Sequence, residues 1–320
     1  MMDLAQHMAS EPPGSRPALP GGLALAALLV LLLLSGVGMA MPRPSASASG
    51  ARWVPEPVPY SPDAPWSSLS PYLIEDLELG RPLVTEVFVP LCSNDQIDCG
   101  STVAGRPDRL DTNLYWGAVF GARRFLDRPR SAWTRVELTA VDQVELRRAT
   151  YRRQVPAERF DLERSEPVTQ IVVLHAIHGS AIDQAVARFW NRAATGGSVT
   201  FHDGTRERTE RVHAVGYVGH NRMLDGLRLP PTPRGWEPVP AFVLGCYSEH
   251  TFRQPLLRVG AEPLVMTRAL MAPEGYVLDA VLRGLGDNYS TRQLRTQAVK
   301  SYARWQRLSP AQASGIFAPR

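Results

Sequence analysis

Short apolar runs recur along the chain and predict the strands of a sheet. Each run has strand length, contains β-branched or aromatic residues, and is bounded by Gly, Pro or polar residues. The predicted strands are 83–91, 135–140, 170–177, 212–218, 239–244 and 263–267. The Asp203-Gly204 pair, which lies between two polar stretches, predicts a tight hairpin turn.

Segments with apolar residues at helical spacing alternate with these strands. The predicted helices are 113–126, 180–194, 251–259, 273–285 and 290–308. The charged stretch that follows residue 140 is predicted to lie mostly on the surface. Strands that alternate with helices are typical of an α/β fold. We therefore predict a three-layer sandwich in which helices cover both faces of a mainly parallel sheet.

The N-terminal part of the chain differs in composition from the rest. Residues 22–41 are uncharged and nearly all apolar, and they end in small residues of the kind that precede a signal-peptide cleavage site. We expect residues 1–41 to be a signal peptide, cleaved after Ala40, or an uncleaved membrane anchor. Residues 42–70 are rich in Pro, Ser and Ala and predict an extended linker. Residues 71–320 should then form an exported domain, periplasmic or secreted, with a membrane tether if the anchor stays.

The basic residues narrow the classes of function. The formal net charge is +4, and Lys300 is the only lysine among the 35 basic residues. Because a P-loop and a Schiff base both need a lysine at a defined position, we exclude both. The arginines are interspersed with acidic residues, as at 206–211, which indicates a solvated surface and not a nucleic-acid interface. We expect no cofactor.

Export also changes how the cysteines are interpreted. Cys92 and Cys99 flank a short polar loop and are candidates for a disulfide. Cys246 would then be unpaired in an oxidising compartment, where a free thiol is either deeply buried or reactive. A thiol-redox role for Cys92 and Cys99 is a weaker alternative because they lack the C-x-x-C spacing.

Two successive apolar runs end in chemically reactive side chains. His220 follows the first run and Cys246 follows the second, and each comes directly after a glycine, Gly219 or Gly245. The intervening segment is long enough for a parallel crossover. If the two strands are parallel neighbours, the imidazole and the thiol lie at the same edge of the sheet, where ligands bind in open α/β folds. A thiol beside an imidazole is the minimal nucleophile–base pair.

Other histidines compete with this interpretation. His178 also ends an apolar run, in a His-Gly pair, and is the alternative base. A metal site drawn from His175, His178, His220, His250 or Cys246 is disfavoured. Side chains at the spacing of His175 and His178 point to opposite faces of a strand. We therefore predict no metal.

The two reactive motifs resemble those of the caspase–hemoglobinase-like cysteine peptidases. In that family an apolar strand ends in His-Gly and a later one ends in Cys. The matching residues are the GHN sequence at 219–221 and the GCYS sequence at 245–248, and GSAIDQAVARFW is similar to the helix before the histidine strand. Segments across 83–285, such as LCSNDQ, NLYWGAVFGARRFL, YVGHNRMLDG and MAPEGYVLDAVLRG, are also similar to a group of exported bacterial proteins of no established activity. The resemblance implies a caspase-like α/β fold and a peptide or protein substrate.

These residues define two hypotheses for function. In the first, Cys246 attacks a carbonyl, His220 transfers protons, and backbone N–H groups near Asn221 and Cys246 hold the oxyanion. Ser248 would cap the following helix, whose N-terminus would favour the thiolate. In the second, the domain is an inactive binding module of the cell envelope. Asn221 stands where the family has Gly, and no residue clearly matches a specificity acid, for which Asp225, Asp95 and Asp111 are candidates.

Overall fold

The computed structural model describes residues 61–231 and 237–319. The predicted signal peptide or anchor and most of the predicted linker lie outside these residues. Within the described part, no helix combines the length and the apolar character needed to cross a bilayer. The end of the predicted linker is packed: Trp66 lies in a 3-10 helix at Trp66–Leu69, is fully buried, and donates from its indole Nε1 to Leu285 O at 2.7 Å.

Strands in the described residues form a six-stranded mixed sheet and a separate hairpin. The strands are β1 (Leu83–Pro90), β2 (Thr134–Thr139), β3 (Glu145–Val155), β4 (Val168–Ile177), β5 (Ser198–His202), β6 (Glu207–Arg211), β7 (Ala214–Val218) and β8 (Ala241–Leu244). The order across the sheet is β2-β3-β4-β1-β7-β8. The last four run parallel, whereas β3 is antiparallel to both β4 and β2. The hairpin of β5 and β6 encloses the predicted Asp203-Gly204 turn.

Helices connect the strands and complete the chain. They are α1 (Leu73–Glu78), α2 (Ala122–Leu126), α3 (Ile182–Thr195), α4 (Ser248–Arg258), α5 (Gly275–Gly286), α6 (Thr291–Gln306) and α7 (Pro310–Ser314). Short 3-10 helices at Ala157–Phe160, Gly179–Ala181 and Arg222–Asp225 lie in the loops. The molecule is therefore an α/β protein with a mostly parallel sheet, as the alternation of apolar runs predicts.

Alternate residues of the central strands face different layers of the core. In β1, Val87 and Val89 belong to a core shared with α1, α2, α5 and α6, whereas Phe88 belongs to one shared with α3 and α4. Val84 packs with Val199 and Phe201 of the β5–β6 hairpin. Because both faces are covered, the parallel strands are buried along their whole length. The four parallel strands therefore consist of nearly continuous runs of apolar residues.

The helix predicted at 113–126 is mostly wrong, since only its last turn, α2, is helical. Asn113 uses its side chain to bond the backbone N–H and C=O of Cys92, at 3.1 and 2.8 Å. Glycines keep the following residues in tight turns. A Cβ on Gly117 would lie 2.1 Å from Leu110 O, and one on Gly121 would lie 2.4 Å from the Trp116 backbone. Long-range bonds to the backbone that follows β1 therefore override the local helical spacing.

The secondary structure predicted for two other segments is also wrong. Strand β3 lies in the segment predicted to be mostly surface. Its arginines conceal a centre in which Ala149, Thr150 and Tyr151 are fully buried between β2 and β4. The strand predicted at 263–267 is present only as isolated bridges, at Pro263 with Ala241 and at Thr267 with Phe317. The four parallel strands are confirmed to within a few residues at their ends.

Candidate active site

The carboxyl ends of β7 and β8 bring the two reactive motifs together. The strands are parallel neighbours in which Val218 pairs with Leu244. The pairing continues one residue further, because Gly219 N donates to Leu244 O at 3.1 Å. His220 and Cys246 follow at the same edge of the sheet, as the sequence predicts for parallel neighbours.

Gly219 and Gly245 let the two turns approach each other closely. A Cβ on Gly245 would lie 2.7 Å from Gly219 O, and one on Gly219 would lie 2.8 Å from Cγ of Pro90 at the end of β1. Side chains at these positions would push the strand ends apart. Gly219 and Gly245 are therefore needed to keep the histidine turn and the cysteine turn close together.

Cys246 occupies a sharp turn between β8 and α4. Tyr247, the next residue, has a left-handed backbone with φ of 50°, and its N–H donates to Ala269 O at 3.1 Å. A bulky residue in this conformation stores strain that the surrounding structure must hold, and such strain is concentrated at functional sites. The turn leaves Cys246 as a half-buried free thiol at the start of α4, where the helix dipole favours negative charge.

The sulfur of Cys246 lies against the loop that precedes α5. Met271 N–H donates to Sγ at 3.5 Å, and the thiol donates to Met271 O at 3.5 Å. Two tyrosines are close enough for the charge of Cys246 to affect them. Burial raises the pKa of Tyr115, and the Cys246 charge raises it further; burial likewise raises the pKa of Tyr302, with a smaller contribution from Cys246. The thiol therefore has an N–H donor, and its charge affects two buried tyrosines.

His220 is held by a carboxylate on one side of its ring. Its Nε2 lies 2.6 Å from Asp225 Oδ2, and only 11% of its side chain is exposed. Asp225 ends the 3-10 helix Arg222–Asp225 and also pairs with Arg222 at 3.3 Å. Tyr217 donates from its hydroxyl to His220 O at 2.7 Å. Nδ1 is thus the ring nitrogen left for chemistry, because the described residues provide no hydrogen bond to it.

Asn221 joins the histidine turn to the cysteine turn. Its side chain is fully buried, and its Nδ2 donates to Cys246 O at 2.7 Å and to Thr251 Oγ1 at 2.9 Å. Its φ of −84° is outside the left-handed region, so the asparagine does not replace a glycine for conformational reasons. Asn221 instead fixes the distance between the two turns.

Several backbone amides of the two turns have no acceptor among residues 61–231 and 237–319, and they include the N–H groups of Cys246 and Asn221. Tyr247 N–H and Ser248 N–H are instead engaged with Ala269 O and Thr267 Oγ1. Free amides beside a nucleophile are what an oxyanion hole requires. The thiol and the imidazole themselves share no direct hydrogen bond within the described chain, an arrangement common in ligand-free catalytic sites.

Ser248 has a different role from the one its position suggests. The N-cap of α4 is Tyr247, which makes no side-chain cap. The Ser248 hydroxyl is fully buried, donates to Val243 O at 2.8 Å, and accepts from Thr267 N at 2.9 Å. The N-cap prediction is therefore wrong. Ser248 connects the end of β8 to the chain that follows α4.

His178, the alternative base, lies at the end of β4. Its Nδ1 accepts from Ser180 N at 3.2 Å and contacts Ser180 Oγ at 2.8 Å, so it caps the 3-10 helix Gly179–Ala181. Strands β1 and β7 separate β4 from β8. Three strand spacings amount to about 14 Å. The strand order therefore favours His220 as the partner of Cys246.

Cys92 and Cys99 form a disulfide in the loop that follows β1. The loop is fixed at its base by Asn113, and it leads through the turns at 114–121 to α2. Since β1 is next to β7, this loop lies at the same edge of the sheet as His220. It also carries Tyr115 to the neighbourhood of the thiol.

A second group of titratable side chains lies within the sheet. His175 is 3% exposed and has Glu145 Oε1 at 2.8 Å from Nδ1 and Glu86 Oε1 at 3.0 Å from Nε2. The carboxylates are paired in turn, Glu86 with Arg192 and Glu145 with Arg148 and Arg188 at 3.0 Å. Among the described residues, no group of three or more His, Cys, Asp or Glu side chains is arranged to hold a metal ion.

Sequence reasoning missed three residues of the site. The sequence suggests Asp225 only as a specificity acid, although its position five residues after His220 in a short turn was the available signal. Met271 and Tyr115 belong to distant parts of the chain. Met271 begins the MAPE sequence, which indicates the start of a helix, and no local pattern marks Tyr115. Asp95 and Asp111, the other candidate acids, bond to Ser93 and Arg123 instead.

No family model matches the chain, and comparisons with curated proteins and with solved structures found no similar protein or structure.

Proposed function

We propose that this protein is an exported cysteine hydrolase of the peptidase type, in which Cys246 and His220 cleave peptide or related acyl bonds. The observation that carries the proposal is the parallel pairing of β7 and β8, which puts both motifs at one edge of the sheet. The free thiol at a strained strand-to-helix turn is the second support.

The reaction follows from the groups around the thiol. The Cys246 thiolate adds to the substrate carbonyl carbon, and the N–H groups of Cys246 and Asn221 stabilise the oxyanion. The protonated His220 ring gives its proton to the leaving amine, and the C–N bond breaks to give a thioester. His220 then removes a proton from water, which attacks the thioester and releases the carboxylic acid and the thiol.

Asp225 and Asn221 support this chemistry without touching the substrate. Asp225 holds Nε2 of His220, which leaves Nδ1 as the nitrogen that transfers protons. Asn221 fixes the backbone of Cys246 relative to the histidine turn. Both are positioning residues, because they act through the geometry of the dyad.

The caspase-like version of the fold belongs to the same proposal. Its support is that helices cover both faces of the sheet and that the His-bearing and Cys-bearing strands are neighbours. A peptide or protein substrate and an extracytoplasmic location, with or without a tether at residues 22–41, follow from that resemblance and from the N-terminal composition.

The test is covalent labelling of the full chain by a panel of peptide-derived electrophiles. We expect stoichiometric labelling at Cys246, none in Cys246→Ser, and a loss of rate of about a hundredfold or more in His220→Gln. His178→Gln is the matched control and should label at the parental rate. Labelling that is unaffected in His220→Gln, or no labelling by any probe, would instead support the inactive binding module.

A further inference from the structure

A cavity of about 640 Å³ lies between the end of α2 and the facing surfaces of α5 and α6. Its volume is within the range of sites for small organic ligands. On α6 it is lined by Gln297, Lys300 and Arg304, which succeed one another at helical spacing. None of its lining residues belongs to the Cys246 site, so a ligand bound here would not depend on the proposed hydrolase activity.

Positive charge dominates this cavity. The described residues that line it include Arg128, Arg130, Arg283, Lys300 and Arg304, and Asp279 is their only acid.

The carboxylate of Asp279 is already engaged. It accepts from Trp133 Nε1 at 2.9 Å and from Arg128 at 3.3 Å, and it lies 3.6 Å from Arg283. Within the described residues no carboxylate pairs with Arg130, Lys300 or Arg304.

The cations of the cavity repel one another. Lys300 and Arg304 are four residues apart on α6, a spacing at which like charges destabilise a helix. Burial lowers the pKa of Arg128, and Arg283 and Arg304 lower it further against the opposing effect of Asp279. An anion in the cavity would relieve this repulsion.

Part of the remaining wall is aromatic. Trp305, Tyr276 and Phe125 line the cavity. The rings of Trp305 and Tyr276 are stacked, with centroids 5.9 Å apart and an angle of 19° between their planes. Tyr276 is buried in this stack, whereas Trp305 is 39% exposed and has the Arg304 guanidinium 5.6 Å from the centroid of its ring. Flat rings of ligands pack favourably on such a surface.

We propose that this cavity binds a small phosphorylated molecule that carries a flat ring. Lys300, Arg304 and Arg130 would hold the phosphate, and Trp305 would contact the ring. Arginine and lysine are the side chains that bind phosphate most strongly, and the planar guanidinium of arginine can donate two N–H groups to one phosphate. The aromatic wall distinguishes this site from a purely electrostatic surface patch.

The test is calorimetric titration of the full chain with adenosine monophosphate, adenosine and ribose 5-phosphate. Adenosine lacks the phosphate and ribose 5-phosphate lacks the ring. We expect adenosine monophosphate to bind more tightly than either. In the double variant Lys300→Gln, Arg304→Gln its affinity should fall by about tenfold or more, the effect of losing charge-assisted hydrogen bonds. Trp305→Leu should weaken adenosine monophosphate but leave ribose 5-phosphate unchanged.

The control is the double variant Arg206→Gln, Arg292→Gln, which removes the same charge from positions outside the cavity. It should bind adenosine monophosphate like the parent protein. A thermal melt of each variant separates loss of binding from loss of fold. Absence of binding by the parent protein would overturn the proposal. So would equal affinities for adenosine monophosphate and adenosine, or equal losses in the two double variants. Equal binding of ribose 5-phosphate and adenosine monophosphate would overturn the role of the ring.

Discussion

His220 and His175 both lie against carboxylates, but one is at the edge of the sheet and the other is inside it. His220 has a single carboxylate partner among the described residues, Asp225, which is 38% exposed. His175 is enclosed between Glu86 and Glu145, which are themselves buried and paired with arginines. Every charged group of the inner cluster therefore has a partner within the cluster. At the edge, Nδ1 of His220 has no partner among the described residues, and the Cys246 thiol contacts the backbone of Met271.

The comparison shows that a strongly shifted pKa does not by itself mark a reactive group. Burial alone would lower the pKa of His175, but the hydrogen bond to Glu145 and the nearby carboxylate of Glu86 raise it. This shift reflects ion pairs that hold β1, β3 and β4 together. At the edge, reactivity depends instead on groups with no partner among the described residues, Nδ1 of His220 and the N–H groups of Cys246 and Asn221, and on a thiol bonded only weakly to the Met271 backbone. Such a distinction needs the hydrogen-bond partners as well as the titration.

The largest expected difference between the two regions is in stability. His175→Gln leaves two buried glutamates without their shared cation, and it should lower the free energy of unfolding by about 3–5 kcal/mol. His220→Gln, the matched change at the edge, should alter it by less than about 1 kcal/mol. Urea denaturation of the two variants measures both values. Similar losses in the two proteins would contradict the assignment of His175 to structure and His220 to chemistry.

The inner cluster should also control how stability depends on pH. Burial alone would raise the pKa of Glu145, but the hydrogen bond and charge of His175 lower it to about 2. Because the folded pKa lies below the ordinary 4.5, this contribution is present above pH 4.5 and is lost as the pH falls toward 2. Its size is about 3 kcal/mol.

The pKa shift of His175 makes a contribution to stability with the opposite pH dependence. Its pKa is raised above 6.5, so its contribution is complete below pH 6.5 and is lost as the pH rises through the folded value. Unfolding free energies measured across this range should therefore fall at both ends, and Glu145→Gln should flatten the acid limb. An unchanged acid limb in that variant would show that other carboxylates are responsible.

The features of the site that are local in sequence could be predicted, and those that are not local could not. Gly219-His220 and Gly245-Cys246 directly follow apolar runs. These runs and the glycines after them were enough to predict that both reactive residues lie at strand ends. The length of the crossover allowed the two strands to be parallel neighbours, and the structure pairs them in that way. By contrast, Met271 comes to the thiol through the chain after α4, and only the packed structure determines that approach.

Charged residues inside the fold were the hardest to interpret. Glu86 interrupts an apolar run and was a visible signal of a buried carboxylate, but its partners His175 and Arg192 lie on other elements. The arginines of β3 made a buried strand resemble a surface segment, because long basic side chains can leave a sheet while the backbone remains in it. Composition alone does not separate these cases.

Asn221 should show the next largest effect, and it tests whether the edge site depends on a fixed geometry. Asn221→Ala removes buried hydrogen bonds to Cys246 O and Thr251 Oγ1 and should cost about 1–3 kcal/mol of stability. Labelling of Cys246 by an electrophilic peptide should slow at the same time. The control is Asn191→Ala on the exposed side of α3, expected to stay within about 0.5 kcal/mol of the parent. Normal labelling of Asn221→Ala would mean that the turn at Cys246 keeps its geometry without the Asn221 hydrogen bond.

Asp225 should show the smallest effect on stability and a specific one on reactivity. Asp225→Asn keeps the shape of the side chain but removes the charge that orients Nε2 of His220, so labelling of Cys246 should slow by about tenfold. Asp225→Glu should restore part of the rate. Asp183→Asn is the matched control, because Asp183 also pairs with Arg222 but does not touch the histidine. If both asparagine variants slow equally, the effect comes from Arg222 and the loop. If only Asp225→Asn slows, the carboxylate acts through His220. A histidine–carboxylate pair would then support reactivity at the edge of the sheet, whereas the pairs of His175 support stability inside it.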